Sequence, residues 1–413
     1  MPDADPLAWT RDHTPVLRSL ADQYATTRPF EGHTVAVVSH LETKTGVFIE
    51  TLAAAGAEVV FAPSEPQSTH GDVVEYLDAT DGIEAFAWAG MTDEEFDDAQ
   101  HELLERGPDV ILDDGCELIA KVHADHPDVA AGVIGGAEQT TAGIHRLEAM
   151  DAEGVLEFPV YGVNDTPMKH FFDNVHGTGE SALANVQITT NAIVAGKTVV
   201  VAGYGYVGRG VARKARSLGA RTIVTEVDPR AALEAHMDGH EVTSMAQAAE
   251  AGDLFVTATG NADVIREEHV AAMPDGATLC NAGHFDVEID LDGLAALAER
   301  VTEPTEGVTR YHLPDGRAVN LLARGRLVNL TGPYSKGHPA EVMDTTFAMM
   351  FLAGLDHVDG GGGPNLEPGL YAVPDRLDRR AAERKLETLG VVTDELTDRQ
   401  EDYLSSWVDE ESY

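Results

Sequence analysis

The stretch Thr198-Val-Val-Val-Ala-Gly-Tyr-Gly-Tyr-Val-Gly-Arg-Gly210 decides the fold of this chain. Its β-branched run predicts a strand, and the small residues that follow it predict a helix. Between them, Gly203, Gly205 and Gly208 have the GxGxxG spacing. Such glycines allow a tight turn, close approach of the backbone to a pyrophosphate and close packing of helix on strand. The helix N-terminus supplies N–H donors to the anion, so the stretch predicts a dinucleotide site.

The residues after this helix support the same interpretation. A second strand is predicted over Arg221-Thr-Ile-Val-Thr-Glu226, which puts Glu226 eighteen positions past Gly208. This is close to the offset of about 20 residues at which an acid accepts the ribose hydroxyls of NAD. A carboxylate there disfavours the 2′-phosphate of NADP. The alternative is a glycine turn of an α/β domain that binds no nucleotide.

The composition indicates the environment of the protein. The 413 residues include 71 acidic and 28 basic ones, for a net charge of −43, and the acidic residues are dispersed along the chain. Molar salt screens such self-repulsion. We therefore infer a halophilic source; an acidic partner-binding surface would concentrate the charge in one block. Binding to nucleic acid is not expected for so acidic a chain.

Other features exclude several classes of protein. Cys116 and Cys280 are far apart, which argues against a disulfide framework or a zinc site, and we predict no metal. The N-terminus does not read as a secretory signal, and no apolar run reaches the length of a membrane span. We expect a soluble, cytoplasmic protein.

The first half of the chain predicts an α/β domain over residues 33–180, because predicted strands alternate with helices. The predicted strands cover residues 34–39, 58–62, 85–88, 109–112 and 132–134. Ligands of parallel sheets bind beyond the carboxyl ends of the strands. This rule selects His40, Asp113, Asp114 and residues 135–141, although each could instead be an ordinary loop or capping residue.

Later segments add further candidates. Lys169 and Asp173 would share one face of a helix, either as a surface ion pair or as a base and its partner. Strands predicted over 254–260 and 278–284 lead to His284. A helical stretch over 342–355 is followed by a glycine-rich linker at 359–364 and a charged C-terminal segment with helical patterns at 377–389 and 395–407. We expect this last segment to pack on a neighbouring subunit.

Six motifs together resemble the S-adenosylhomocysteine hydrolase family. In chain order, they lie at residues 111–115, 164–174, 201–210, 225–229, 281–290 and 337–339. The resemblance implies two Rossmann-like doubly wound α/β domains and a small C-terminal helical segment. It implies a substrate domain over 1–180 and 336–364, an NAD domain over 181–335, and an oligomerisation segment over 365–413. It also implies a homotetramer with one tightly bound NAD per subunit.

The family's reaction implies roles for individual residues. NAD oxidises the 3′-hydroxyl of the substrate ribose, a base removes the acidified C4′ proton, homocysteine leaves, water adds, and the hydride returns. By position, Lys169 with Asp173 and Asn174 would assist at the 3′-hydroxyl, Asp114 would be the C4′ base, and His40 would handle the proton of the leaving group or water. His284 would lie near the nicotinamide. The implied substrate contacts are Glu42, Lys44, Gln139, Lys169, Asp173 and His338. The implied NAD contacts are Thr140, Thr141, Ala142, Asn174, Gly203, Gly205, Tyr206, Val207, Gly208, Glu226, Ala282, Gly283, His284 and Asn329.

Departures from the family pattern bear on the purine. Glu42 and Lys44 stand where the family commonly has Thr and Glu facing the base, whereas Gln139 stands where it usually has a second Glu touching the ribose. A lysine can only donate, so it suits the 6-carbonyl of hypoxanthine better than the amino group of adenine. We therefore consider S-inosylhomocysteine beside S-adenosylhomocysteine as substrate. The alternative is that Lys44 pairs with Glu42 or Glu50 at the rim and leaves base recognition to the backbone near His338.

Two other functions share parts of this pattern. A 2-hydroxyacid dehydrogenase has the same dinucleotide fold and two-domain plan. A non-catalytic NAD sensor would keep Gly203 to Glu226, but it would not need Asp114, Lys169, Asp173 and His284 together.

Overall fold

The computed structural model of the chain describes residues 5–332, 335–359 and 366–407. Within these ranges, no helix combines the length and the apolar character that crossing a bilayer requires. The glycine-rich run predicted to be a linker lies mostly outside the described residues.

The described strands fall into two sheets and are numbered in chain order. They are β1 (Thr34–Ser39), β2 (Glu58–Pro63), β3 (Ile83–Ala85), β4 (Val110–Asp113), β5 (Gly135–Glu138), β6 (Pro159–Gly162), β7 (Thr198–Ala202), β8 (Arg221–Thr225), β9 (Glu241–Val242), β10 (Leu254–Thr257), β11 (Thr278–Asn281), β12 (Arg300–Thr305), β13 (Val308–His312), β14 (Ala318–Leu322) and β15 (Gly369–Ala372).

The described residues form eighteen α-helices, most of which pack on the faces of the two sheets. They are α1 (Ala8–Asp12), α2 (Pro15–Tyr24), α3 (Thr43–Ala54), α4 (Gly71–Asp78), α5 (Asp93–Leu104), α6 (Glu117–Asp125), α7 (Pro127–Ala130), α8 (Thr141–Glu153), α9 (Thr178–Thr190), α10 (Tyr206–Ser217), α11 (Pro229–Met237), α12 (Met245–Ala249), α13 (Glu267–Ala272), α14 (Leu291–Leu297), α15 (Val328–Thr331), α16 (Ala340–Val358), α17 (Asp375–Leu389) and α18 (Asp398–Ser405). A π-helix covers Lys169–Gly177.

The first sheet is parallel throughout, with the order β15-β6-β5-β4-β1-β2-β3. Its interior strand β1 is buried on both faces: Val35 and Val37 belong to one apolar layer, and Ala36 and Val38 to the other. Such continuous apolar strands are typical of parallel sheets covered by helices on both sides.

The second sheet has the order β12-β13-β14-β11-β10-β7-β8-β9. Its six strands from β14 to β9 are parallel, whereas β13 pairs antiparallel with both β14 and β12. Renumbered from β7, the parallel strands follow the order 3-2-1-4-5-6 of a dinucleotide-binding domain. The first six strands of the first sheet, counted from β1, follow the same order. The fold is therefore two Rossmann-like α/β lobes, as predicted.

Two predicted strands shift along the chain. The strand expected at 132–134 is Gly135–Glu138, and the one expected at 85–88 is Ile83–Ala85. The first shift has a packing cause, because α16 crosses this part of the sheet and a Cβ on Gly135 would lie 2.2 Å from His357 Nδ1. Only a glycine strand fits beneath that imidazole, and apolar periodicity does not signal such a strand.

The C-terminal segment packs on its own chain over much of its length. β15 pairs with β6 as the seventh strand of the first sheet, and α17 buries Leu377 and Ala381 in the core of that lobe. Arg384 on α17 contacts Ser19 on α2. Residues 369–389 therefore pack on their own chain, through a pairing with β6 that the sequence pattern alone could not predict. Contact of the C-terminal segment with a neighbouring subunit stays a prediction. The short helix α18 has no buried residue.

Candidate active site

A cavity of about 1010 Å³ lies between the two lobes, at the carboxyl ends of β1, β4, β5, β7 and β11. Most of the side chains predicted from sequence line it. These are His40, Glu42, Lys44, Asp114, Gln139, Thr140, Thr141, Ala142, Lys169, Asp173, Asn174, Gly203, Gly205, Tyr206, Val207, Glu226, Ala282, Gly283, His284 and His338. Gly208 and Asn329 are not among the lining residues. The first packs helix on strand, and the second is buried behind the wall, where its Nδ2 donates to Ser181 Oγ.

The glycine turn has the shape that a pyrophosphate requires. Gly203 has a φ of +93°, and a Cβ there would lie 2.7 Å from the carbonyl of Ala258. A Cβ on Gly208 would lie 2.0 Å from the carbonyl of Gly203, so the third glycine permits close packing of α10 on the turn. Gly205 is the N-cap of α10 and no side chain caps it, which leaves the N–H groups of the first turn available to an anion.

Glu226 at the end of β8 is oriented by the backbone. Its carboxylate accepts hydrogen bonds from the N–H groups of Tyr204 at 2.6 Å, Val227 at 2.6 Å and Asp228 at 2.9 Å. The carboxylate can still accept a hydroxyl hydrogen from the cavity, since Oε1 accepts two of these hydrogen bonds and Oε2 only one, which leaves a lone pair on Oε2. The residues of this lobe therefore fit NAD.

Lys169 and Asp173 form a buried ion pair on the π-helix. Lys169 Nζ lies 2.5 Å from Asp173 Oδ1 and donates to Asn174 Oδ1 at 3.1 Å. Asn174 Nδ2 in turn donates to Asn164 Oδ1. The π-helix brings the fifth residue after Lys169 onto the same face as the fourth, so both neighbours reach the ammonium. The pair is not the surface ion pair that was the alternative.

Asp173 also holds two groups that the sequence did not pair with it. Its Oδ2 accepts from Thr346 Oγ1 on α16 at 2.8 Å, and His338 Nδ1 lies 3.3 Å from its Oδ1. Burial alone would raise the pKa of Asp173, but the charges of Lys169 and His338 hold it well below its usual range. The carboxylate is thus ionised at any pH at which the protein works.

Asp114 lies between two histidines from different lobes. His40 Nε2 is 4.0 Å from its Oδ2, and His284 Nδ1 is 4.0 Å from its Oδ1. Gln139 Nε2 donates to Oδ2 at 2.7 Å, as does Ser39 Oγ at 3.3 Å. Oδ1 is buried without a hydrogen-bond partner among the described residues. An unpaired carboxylate oxygen beside a cavity is what a base needs, although two imidazoles and a carboxylate are also donors that zinc accepts.

A second buried acid fixes the loops around Asp114. Glu138 accepts from the N–H groups of Gly115 and Cys116 and from Thr140, and so ties the start of α6 to the start of α8. Burial and then the charge of Asp113 raise the pKa of Glu138. Burial likewise raises the pKa of Asp113 to about 7. Asp113 lies at a strand end, as predicted, but it accepts from the N–H of Ile119 and does not line the cavity, so the prediction that it faces the cleft is wrong.

His284 is held by a network that sequence reasoning missed. Asn281 Nδ2 donates to the carbonyls of Gly283 and Phe285, and its Oδ1 accepts from the N–H of Gly283. Burial lowers the pKa of His284 to about 4, so its imidazole is neutral near pH 7. Asn281 lies inside a motif quoted above, but its role depends on a loop geometry that spacing does not encode.

Glu42 and Lys44 form an ion pair inside the cavity. Lys44 Nζ lies 2.7 Å from Glu42 Oε2 and also donates to the carbonyl of Lys336. Lys44 is only 6% exposed. Glu50 instead pairs with Arg11. The structure thus confirms the pairing that was the alternative for Lys44 but contradicts its location at the rim.

The fold and the site define a dinucleotide-binding α/β protein with a polar cavity between its two lobes. Residues 6–130 match the family described as S-adenosyl-L-homocysteine hydrolase, and residues 174–334 match its NAD binding domain. The chain is 50% identical over 404 residues to the S-inosyl-L-homocysteine hydrolase of Methanopyrus kandleri, covering 98% of this chain and 94% of that protein. It is 50% identical over 401 residues to the adenosylhomocysteinase of Haloquadratum walsbyi, with 97% and 92% coverage. The adenosylhomocysteinase of Archaeoglobus fulgidus is 47% identical over 401 residues, with 97% and 98% coverage.

The chain belongs to the S-adenosyl-L-homocysteine hydrolase family. It is a hydrolase of a thioether substrate, and NAD is its cofactor.

Proposed function

We propose that this enzyme catalyses the reversible hydrolysis of S-adenosyl-L-homocysteine to adenosine and L-homocysteine through a 3′-keto intermediate. One observation carries the proposal: the buried Lys169–Asp173 ion pair and the unpartnered Oδ1 of Asp114 lie in the same cavity, next to a glycine turn that fits NAD. When bound, NAD supplies oxidation and later reduction of the ribose 3′-carbon, so that the overall reaction involves no net redox change.

Lys169 is the group that we assign to the substrate 3′-hydroxyl. Its Nζ is oriented by Asp173 and Asn174 on the π-helix, which fixes its direction into the cavity. Oxidation of an alcohol releases the proton of its hydroxyl group. A lysine side chain held beside a carboxylate, as Lys169 is beside Asp173, can take part in transferring that proton. The contact of Asp173 with Thr346 restrains the carboxylate in turn.

Asp114 and His40 are assigned to the second half of the reaction. A 3′-ketone acidifies the neighbouring C4′ hydrogen, and Asp114 Oδ1 is an acceptor with no other partner in the described structure. His40 and Asp114 can then exchange protons with the leaving thiol and the incoming water, because each lies at the same wall of the cavity. His284 would contact the ribose and nicotinamide as a neutral imidazole.

S-inosyl-L-homocysteine is the second candidate substrate, favoured by Lys44. Its buried ammonium uses two of its three hydrogens on Glu42 and the carbonyl of Lys336. The third can donate to the 6-carbonyl of hypoxanthine, whereas the 6-amino group of adenine needs an acceptor. Glu42 could supply one for adenine, because the described hydrogen bonds to its carboxylate all fall on Oε2 and the residue lines the cavity.

The test is thiol release by the purified protein in molar salt, with each of the two thioethers separately and without added NAD. Release from at least one of them supports the proposed function, and the ratio of kcat/KM assigns the purine. No release from either, even after NAD is supplied, would contradict it.

The broader assignments belong to the same proposal. We propose a homotetramer in the cytoplasm of a halophile, without a nucleic-acid partner. We propose that residues 1–180 and 336–364 bind the substrate, that 181–335 bind NAD, and that 365–413 take part in oligomerisation. The sedimentation of the protein in molar salt tests the tetramer.

A further inference from the structure

Arg326 connects the loop after β2, which contacts His40, with the loop after β11, which carries His284. It follows β14 in the NAD lobe, and its Nη1 donates to Glu65 Oε1 at 2.9 Å and Oε2 at 2.8 Å in the substrate lobe. Its Nε lies 3.5 Å from Asp286 Oδ2 in its own lobe. In the part of the chain that the structure describes, Arg326 is not one of the cavity-lining residues.

On the substrate side, hydrogen bonds lead from Glu65 to His40. Glu65 is the N-cap of a short 3-10 helix, Pro66–Ser68, and its side chain accepts from the N–H of Gln67. Ser68 Oγ donates its only hydrogen to the carbonyl of Glu65 at 2.9 Å. At 2.7 Å from His40 Nδ1, this oxygen can therefore only accept, so it holds the hydrogen of His40 on Nδ1 and turns Nε2 towards Asp114.

On the NAD side, Asp286 is two residues from His284. Phe285 between them packs edge-on against the His284 ring, with centroids 4.7 Å apart, and its carbonyl accepts from Asn281 Nδ2. A carboxylate fixed at 286 therefore limits how far the His284 loop can move from Asp114. Both histidines face opposite oxygens of the same carboxylate at 4.0 Å.

We propose that Arg326 is a positioning residue that aligns the His40–Asp114–His284 cluster by holding Glu65 from one lobe and Asp286 from the other. A guanidinium suits this role because its planar donors can bond two carboxylates at once, and Arg326 is 30% exposed, so the contacts are only partly screened. The inference rests on the proposed function for what the cluster does, but not for the geometry.

The test compares Arg326→Gln and Arg326→Lys with the wild type, in thiol release from the better of the two thioethers. We expect kcat of Arg326→Gln to fall by about 10- to 100-fold, the cost of a small misalignment of catalytic groups, with KM changed less than about threefold. Arg326→Lys keeps the charge and should recover part of kcat. Arg324→Gln is the matched control, because Arg324 is 74% exposed and pairs only loosely with Glu303 at 3.5 Å.

A double-mutant cycle tests whether Arg326 positions the catalytic cluster or only stabilises the contact between the two lobes. If Arg326 acts through Glu65, the losses of kcat in Arg326→Gln and Glu65→Gln will not add in the double variant. A kcat of Arg326→Gln within twofold of wild type would overturn the inference while leaving the proposed function intact. So would losses that add fully in the double variant, or a loss that follows the folded fraction measured by circular dichroism. Inactivity of the wild type would instead contradict the proposed function.

Discussion

Lys44 Nζ lies 2.7 Å from Glu42 Oε2 within the cavity, where both side chains are almost fully buried. In the site proposed for the nucleoside, a buried ammonium beside the purine would determine specificity, because it can donate but never accept. Gly337 supports this location, since a Cβ there would lie 3.5 Å from Lys44 Nζ.

Replacing Lys44 should shift the purine preference towards adenine. In Lys44→Met, we expect kcat/KM for S-inosyl-L-homocysteine to fall about 10-fold or more relative to kcat/KM for the adenosyl compound. This fall corresponds to the loss of one charge-assisted hydrogen bond, which contributes about 1.5–3 kcal/mol. The check is the ratio of the two kcat/KM values. Lys336→Met is the control, because that side chain is exposed and only its carbonyl meets Lys44. An unchanged ratio would remove Lys44 from base recognition.

Loss of the Lys169 ammonium should abolish most catalysis. For Lys169→Met, we expect kcat to fall by about 10²- to 10⁴-fold, the usual contribution of a general acid or base. Steady-state thiol release measures it, and Lys197→Met serves as the control, since Lys197 is 40% exposed and 4.0 Å from Asp253. A kcat within threefold of the wild type would exclude Lys169 from the reaction.

The neutral, buried His284 should make stability depend on pH. Burial lowers its pKa to about 4 in the folded chain, against about 6.5 when unfolded, so the unfolded state binds more protons between these values. The contribution of His284 to the free energy of unfolding is fully present above pH 6.5 and is lost as the pH falls towards 4. The loss is at most about 3 kcal/mol, because each pKa unit corresponds to about 1.4 kcal/mol.

Chemical denaturation at pH 7 and pH 4.5 tests this dependence. His284→Gln should lose less free energy of unfolding over that interval than the wild type does. His236→Gln, at an exposed position, should behave as the wild type. Equal losses in His284→Gln and the wild type would contradict the neutral imidazole.

Salt should stabilise the fold. With a net charge of −43, repulsion between surface carboxylates weakens as the Debye length falls from about 10 Å at 0.1 M to about 3 Å at 1 M salt. We therefore expect Tm to rise between 0.1 M and 2 M KCl, followed by circular dichroism. A Tm that is constant or falls over this range would argue against halophilic adaptation.

Locally encoded features could be predicted from the sequence. Spacing was enough to find three features because each depends on residues close together in the chain. These are the GxGxxG turn, Glu226 after β8 and the Lys169–Asp173 pair. Even there, the π-helix added Asn174 to the ammonium's partners, since i,i+4 spacing alone describes an ordinary helix.

Contacts between distant segments could not be predicted in the same way. Thr346 reaches Asp173 across 173 positions, and Arg326 reaches Glu65 across 261. No periodicity in either segment signals its partner. The start of β5 likewise depends on where His357 of α16 lies, and β15 joins the first sheet only after the chain returns from the NAD lobe.

The most direct test of the central claim is exchange of the C4′ hydrogen. The purified enzyme is incubated with the nucleoside product in D2O, without added NAD or homocysteine, and the nucleoside is analysed by mass spectrometry. The account predicts one deuterium at C4′, because oxidation at C3′ lets Asp114 remove and return that proton, and it predicts that Asp114→Asn suppresses the exchange. Thiol release from the thioether without any C4′ exchange would mean direct displacement at C5′ and would contradict the account.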